Sequence, residues 1–167
     1  MQEQWRYIQD FDGYSISDHG RVCNLRRDSI LTSSINHQGI LKVGLYDHAV
    51  GRSTARSVGL LVAKAFLDRI GPNFDTPIHL DGDRTNCRID NLMWRPRWFA
   101  VKYHRQFFIE RFRFGKRHFE DIETEEEYWD YVEPCTKFGL IHNAVILSYL
   151  TDIRVFPTNQ QFRLLSN

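Results

Sequence analysis

The sequence predicts a mixed α+β protein, strand-rich toward its N-terminus and helical toward its C-terminus. Three observations lead there. Residues 5–47 divide into short β-type runs separated by turn signals, residues 57–68 carry an apolar stripe at helical spacing, and helix-like segments follow Pro96.

Taken in order, Asp12-Gly13 and His19-Gly20 mark turns, and residues 22–27 and 40–46 have strand composition. In 57–68, Val58, Leu61, Val62, Ala65 and Phe66 fall on one helical face, and Gly71-Pro72-Asn73 then breaks the chain. Residues 76–94 are rich in Asp, Asn, Arg and Gly but punctuated by Ile78, Leu80, Ile89, Leu92 and Trp94, which predicts a tight hairpin or loop held by side-chain hydrogen bonds. Residues 97–107 read as a helix, and 107–119 alternate apolar and basic residues around Gly115-Lys116 as a hairpin does. Thr124 followed by three glutamates is the signature of a capped helix. Pro134 makes that helix kink or restart, Phe138-Gly139-Leu140 ends it, and 141–150 form a second short helix before an extended tail. Helix, Gly-containing turn and helix over 125–150 is a candidate helix-turn-helix, although the second helix is apolar and nearly uncharged.

The 167 residues, 42% hydrophobic and 26% charged, suffice for a sizeable core. No apolar run approaches the roughly 20 residues of a membrane helix, and the first residues lack the pattern of a signal peptide. Cys23, Cys87 and Cys135 form neither a disulfide framework nor a Cys-x-x-Cys zinc pair, so the expectation is an intracellular protein without structural zinc. Net charge is +1 but unevenly spread: 95–117 hold eight basic residues against Glu110, and 120–133 hold eight acids and no base. That predicts a surface with one part suited to phosphate and another that is not, unless these are simply two solvated faces.

The informative stretch is Ile78-His79-Leu80-Asp81-Gly82, then Asn86-Cys87, then Asn91-Leu92-Met93-Trp94. It resembles the motif of the HNH homing endonucleases, with Cys87 where a second Asn is common. Upstream, residues 5–22 look like the nuclease-associated DNA-binding module that precedes this motif in phage and intron nucleases. Residues 60–66 resemble the helix between the two, with Gly59-Leu60 where relatives have His-Arg. The resemblance spans about residues 5–94. It implies a module over 1–56, a central ββα-metal motif over 57–106, and a hairpin and helical region over 107–167.

By that resemblance His79 would be the general base, Asn91 the clamp that orients the loop, and Asp81-Gly82 the turn after the first strand. A divalent Mg²⁺ or Mn²⁺ would stabilise the leaving oxygen in an active member. The family's metal-ligand positions fall on Ile78, directly before the histidine, and on Ala100, nine positions after Asn91. Neither side chain binds a hard cation. Asp83 and His104 are the candidate substitutes. The sequence therefore favours a disarmed site with no cofactor.

The expected partner is double-stranded DNA, contacted by Arg21, Arg26 and Arg27 in the module, by Arg95, Arg97, Lys102 and Arg105 after the motif, and by Arg111 and Arg113 in the later hairpin. The rings beside Arg95 and Arg97 would pack on sugars or wedge into a groove, with Trp94 assigned instead to the core. Three functions stay open: a DNA-binding protein of nuclease descent, an active DNA-nicking enzyme, and an interaction subunit of a phage assembly. In the last, the acidic and aromatic segment 120–133 would meet a protein partner, or its aromatics would simply be core. If the source is a phage, the expected place is the host cytoplasm or the virion.

Overall fold

A computed structural model describes residues 2–107 and 117–165. Its elements are β1 (Trp5–Tyr7), β2 (Tyr14–Ser17), β3 (Val22–Asn24), β4 (Ser29–Ile30), β5 (Ser34–Ile35), β6 (Leu41–Asp47), β7 (Arg52–Ser57), α1 (Val58–Phe66), β8 (Thr76–His79), β9 (Leu92–Arg95), α2 (Arg97–Gln106), β10 (Phe119–Asp121), β11 (Glu126–Tyr128), α3 (Val132–Phe138), α4 (His142–Thr151) and β12 (Phe162–Leu164), with a 3₁₀ turn at Ile89–Asn91. They form two compact units, one of Met1–His79 with Asp83–Arg97, the other of Leu80–Gly82 with Trp98–Asn167. The α+β class is as the sequence predicts. The strands before residue 57 and the elements after it share one core.

In the first unit β1-β2-β3-β4 form an antiparallel meander, β5-β6-β7 a second sheet and β8-β9 a hairpin. Ile8 and Phe11 from the β1–β2 connection and Ile16 and Val22 from the first sheet meet Val43 and Leu45 of β6, Val58, Leu61 and Val62 of α1, and Cys87 and Leu92 of the hairpin. The apolar stripe of α1 is what faces this core. Each fully buried Leu, Ile or Val contributes about 1.5–3 kcal/mol, so small, two- to seven-residue strands hold together through α1 rather than through their own ladders.

In the second unit β10 pairs with β11 on one side and β12 on the other. The helix expected to open at Thr124 is a correction: residues 126–128 are strand β11, reached through a turn in which Glu125 has φ 58°. Phe119 and Tyr128 face each other across β10 and β11, and both are fully buried. A helix cap is worth about 1 kcal/mol, less than burying either ring. The helix instead starts at α3, where Asp130 Oδ1 accepts the Val132 and Glu133 amides at 2.7 and 3.2 Å, and it ends at Gly139 in the left-handed region. Pro134 lies in its first turn, where its missing N–H costs nothing. The helix–turn–helix order is present as α3, Gly139 and α4.

α2 belongs to this unit almost entirely. The Tyr103 hydroxyl donates toward the carbonyls of Leu80 (2.8 Å) and Cys135 (3.1 Å), and Gln106 bonds the Leu140 carbonyl and the His142 amide. Two buried polar groups brace β10 and β12: Asp121 accepts from Gln160 Nε2 at 2.6 Å, and Ser148 Oγ donates to the Ile153 carbonyl and accepts the Phe162 amide. The hairpin expected over 107–119 lies largely outside the described residues. No described helix is long and apolar enough to cross a membrane.

All three cysteines are free thiols. Cys23 is partly exposed, Cys87 and Cys135 are buried, and burial pushes the Cys135 thiol up to about 12. Thiol-labelling of the native chain should therefore modify Cys23 first and leave Cys87 and Cys135 protected until denaturant is added. Equal labelling rates at Cys23 and Cys135 would contradict this packing.

Candidate functional site

The site is built on the β8–β9 hairpin. His79 closes β8 opposite Leu92, and Thr76, Pro77 and Ile78 pair with Arg95, Trp94 and Met93. The connection is held by its own polar side chains, as its composition predicts. Asp83 Oδ1 accepts the Thr85 hydroxyl at 2.7 Å and the Thr85 amide at 2.9 Å, and these two donors, in that order, hold the Asp83 carboxyl below its ordinary value. Asn91, 8% exposed, donates Nδ2 to the Asn86 carbonyl at 2.8 Å and so ties the end of the 3₁₀ turn to the middle of the loop. The Ile89 amide reaches the Asp18 carbonyl at 2.8 Å, fixing the loop to the β2–β3 turn. Trp94 is core, as expected: its indole N–H bonds the Leu67 carbonyl at 3.1 Å and Arg69 covers its face.

His79 is 4% exposed. Its Nε2 lies 3.7 Å from Cys87 Sγ. Gly59 of α1 comes so near that a Cβ there would sit 2.9 Å from the same nitrogen and 3.5 Å from Cys87 Sγ. A general base must reach the proton it removes. Here a thiol and the backbone of a helix wall one ring nitrogen.

Neither of the two positions that the resemblance implies for metal ligands offers a donor to a hard divalent cation. Ile78 is fully buried in β8, Ala100 is 3% exposed in α2, and neither has an oxygen or nitrogen on its side chain. Of the two substitutes, Asp83 is committed to Thr85, and His104 is a largely buried residue of α2 with its ring edge-on to Tyr103. Among the described residues, the one group of three or more His, Cys, Asp or Glu side chains with ligand atoms within 4.8 Å is Glu3, Asp18 and His19, on the module, where Glu3 is already paired with Arg21.

The cations divide by exposure. Arg26 and Arg27 are exposed in the turn after β3, whose amides are gathered on Asn24 Oδ1. Arg21 is exposed but pairs with Glu3 and lies over Trp5. Arg97, Lys102 and Arg105 are exposed along α2. Arg95 departs from the phosphate contact expected of it: it is 2% exposed, and Nη1 donates to the Trp94 carbonyl at 3.0 Å. β9 alternates its side chains, and Arg95 was too near the hairpin's end for sequence to show which way it turns. Arg111 and Arg113 lie outside the described residues.

The acidic segment is not an open acidic face. Glu120 pairs with Arg163, Glu123 with Arg154, Glu126 with Lys137 and Glu127 with His118, all inside the second unit. Tyr128 and Tyr131 are core, and Trp129 alone of the three rings is exposed, stacked on His118. These partners lie up to 43 positions away in sequence, too far for local pattern to reveal.

Strand, polar loop, strand and helix in chain order, with a histidine at the end of the first strand and a clamping asparagine before the second, define an HNH-type motif. Comparison with known proteins agrees. Residues 3–46 match the NUMOD4 motif and residues 75–98 match the HNH endonuclease family model. An uncharacterized HNH endonuclease of Acanthamoeba polyphaga mimivirus is 32% identical over 95 residues, 55% of this chain. The chain spans only 23% of that relative's length. The fold is like that of the HNH homing endonuclease I-HmuI, a protein described for DNA binding and cleavage, with a TM-score of 0.54 and 22% identity over 98% of this chain and 99% of that one. The family matches thus cover two stretches of the chain, 3–46 and 75–98, and the likeness to the solved structure is one of fold.

The clamp has a stability consequence. Asn91→Ala removes the donor to a part-buried carbonyl and should lower unfolding stability by about 1–3 kcal/mol, read by denaturant titration. A change under about 0.5 kcal/mol, the range of a neutral surface substitution, would show that the loop does not depend on it.

Proposed function

We propose that this chain is a DNA-binding protein of HNH homing-endonuclease descent in which strand cleavage is lost or strongly reduced. The observation that carries the reading is the contrast within the motif. The frame is kept, from His79 through the Asn91 clamp to Trp94, while the two ligand positions implied by resemblance hold buried alkyl groups, Ile78 and Ala100. Without an electrophile to neutralise the leaving oxygen, a lone imidazole gives little catalysis of phosphodiester hydrolysis. The wall that Cys87 and Gly59 make against His79 Nε2 points the same way.

Binding rests on other groups. Arg26, Arg27, Arg97, Lys102 and Arg105 are exposed, and α2 carries no acid. Such cations attract a polyanion by counterion release, which needs no metal and no base. The NUMOD4 match over the segment whose β3–β4 turn carries Arg26 and Arg27, and the likeness of fold to a DNA-cleaving protein, support DNA as that polyanion.

The test pairs binding with cleavage on duplex and supercoiled DNA in Mg²⁺ and Mn²⁺. The chain should shift duplex DNA with a steep salt dependence and leave supercoiled DNA intact. Replacing Arg26, Arg27 and Arg97 together by Ala should lower the salt slope by up to about three, roughly one per phosphate contact. His79→Ala should leave affinity nearly unchanged. Nicking that vanishes with His79→Ala would establish a working nuclease with a different ligand set. Absence of any DNA shift would point instead to an interaction protein that keeps only the fold.

A further inference from the structure

Helix α2 divides cleanly by burial. Phe99, Ala100, Tyr103 and His104 face inward, while Trp98, Val101, Lys102 and Arg105 occupy the outer face at i, i+3, i+4 and i+7. Trp98 is 55% exposed and Val101 56%. An indole this exposed is not simply loose on the surface. It stacks on Phe156, 5.8 Å between centroids and 25° between planes, and Phe156 is itself 50% exposed. Phe156 in turn stands edge-on to the buried Phe99 at 6.2 Å, and Phe99 stacks on Tyr103. Two exposed rings are thus braced against core rings. The Lys102 ammonium lies 5.5 Å from the Trp98 centroid, and no acid occurs anywhere in α2.

We propose that this braced ring pair is a wedge for duplex DNA. Trp98, backed by Phe156, packs against sugars and base edges at a locally opened step, while Lys102 and Arg105 take the flanking phosphates. The proposal rests on the DNA-binding reading above and specifies which surface deforms the duplex. Charge favours nucleic acid over an apolar protein partner: an exposed aromatic surface beside Lys102 and Arg105, on a helix that carries no acid, suits flat bases flanked by phosphates. The second exposed indole of this unit, Trp129, makes the contrast. It is stacked on His118, which pairs with Glu127, and its chain neighbours within three residues include Glu126, Glu127 and Asp130 and no lysine or arginine. Bracing matters because rings already fixed lose little freedom when they bind.

The experiment measures equilibrium binding of the full chain to duplex DNA bearing 2-aminopurine, over a series of salt concentrations. Trp98→Ala should weaken binding about tenfold, within the range that aromatic stacking supplies, and leave the salt slope unchanged. Lys102→Ala should lower the slope by about one, as loss of one phosphate contact does. Binding of the wild type should raise 2-aminopurine fluorescence, and Trp98→Ala should abolish that rise while Trp98→Phe keeps most of it. Phe156→Ala, which removes only the brace, should shift both readouts in the same direction by less. If Trp98→Ala binds like the wild type while the Arg26, Arg27 and Arg97 variant is weakened, the wedge is refuted and the DNA-binding reading stands. If the wild type binds no duplex at all, both fall.

Discussion

The first unit depends on a missing side chain. At Gly59, helix α1 lies against the end of β8 more closely than a Cβ allows: His79 Nε2 stands 2.9 Å from where that carbon would be, with Cys87 Sγ in ordinary contact at 3.5 Å. On the other side of Cys87, the β2–β3 turn approaches through Gly20, where a Cβ would sit 3.1 Å from Cys87 Cβ. The loop of the HNH-type motif is therefore gripped between the helix and the module's first sheet. That grip lets Cys87 and Leu92 enter the same core as Ile16 and Leu45. Interiors this dense transmit a single added carbon as displacement, so the close approach fixes the position of the whole loop.

How much of this was legible in sequence follows from the range of the forces involved. The stripe of α1, the ends of α2 and α4, and the Gly139 stop were readable because each rests on spacing or backbone freedom within one element. The polar loop 76–94 was readable because its hydrogen bonds are local, Asp83 to Thr85 and Asn91 to Asn86. The stretch after Thr124 was misread because its local capping signal is weaker than the cross-strand burial of Phe119 on Tyr128, which no window around Thr124 contains. The buried state of Arg95 and the brace of Trp98 on Phe156, 58 positions away, were invisible for the same reason.

Charge shows the same limit. Sequence presents a basic block beside an acidic one and suggests a divided surface. The fold spends much of the acidic block on internal pairs with Arg154, Lys137, Arg163 and His118. These pairs are partly exposed, and such pairs contribute little stability each. Their effect is on the outside field: carboxylates neutralised at short range repel a polyanion less, while Arg97, Lys102 and Arg105, with no acid on their helix, keep their charge available.

On the proposed reading, chemistry and binding then separate by where each is stored. Catalysis by such a motif needs a few atoms held to within a fraction of an ångström, and two alkyl residues at the ligand positions suffice to remove it. Duplex binding, as proposed, would be spread over cations in the module and along α2, so that no single substitution would end it. The clamp at Asn91, the Asp83–Thr85 turn and the packing of Cys87 serve the core of the first unit as much as any reaction, since they bring Leu92 and Trp94 into it. A fold whose motif is also its structural keystone would keep the motif's shape whether or not its metal chemistry survived, and the proposed reading thereby accounts for a sequence that spells the frame while Ile78 and Ala100 stand at the implied ligand positions.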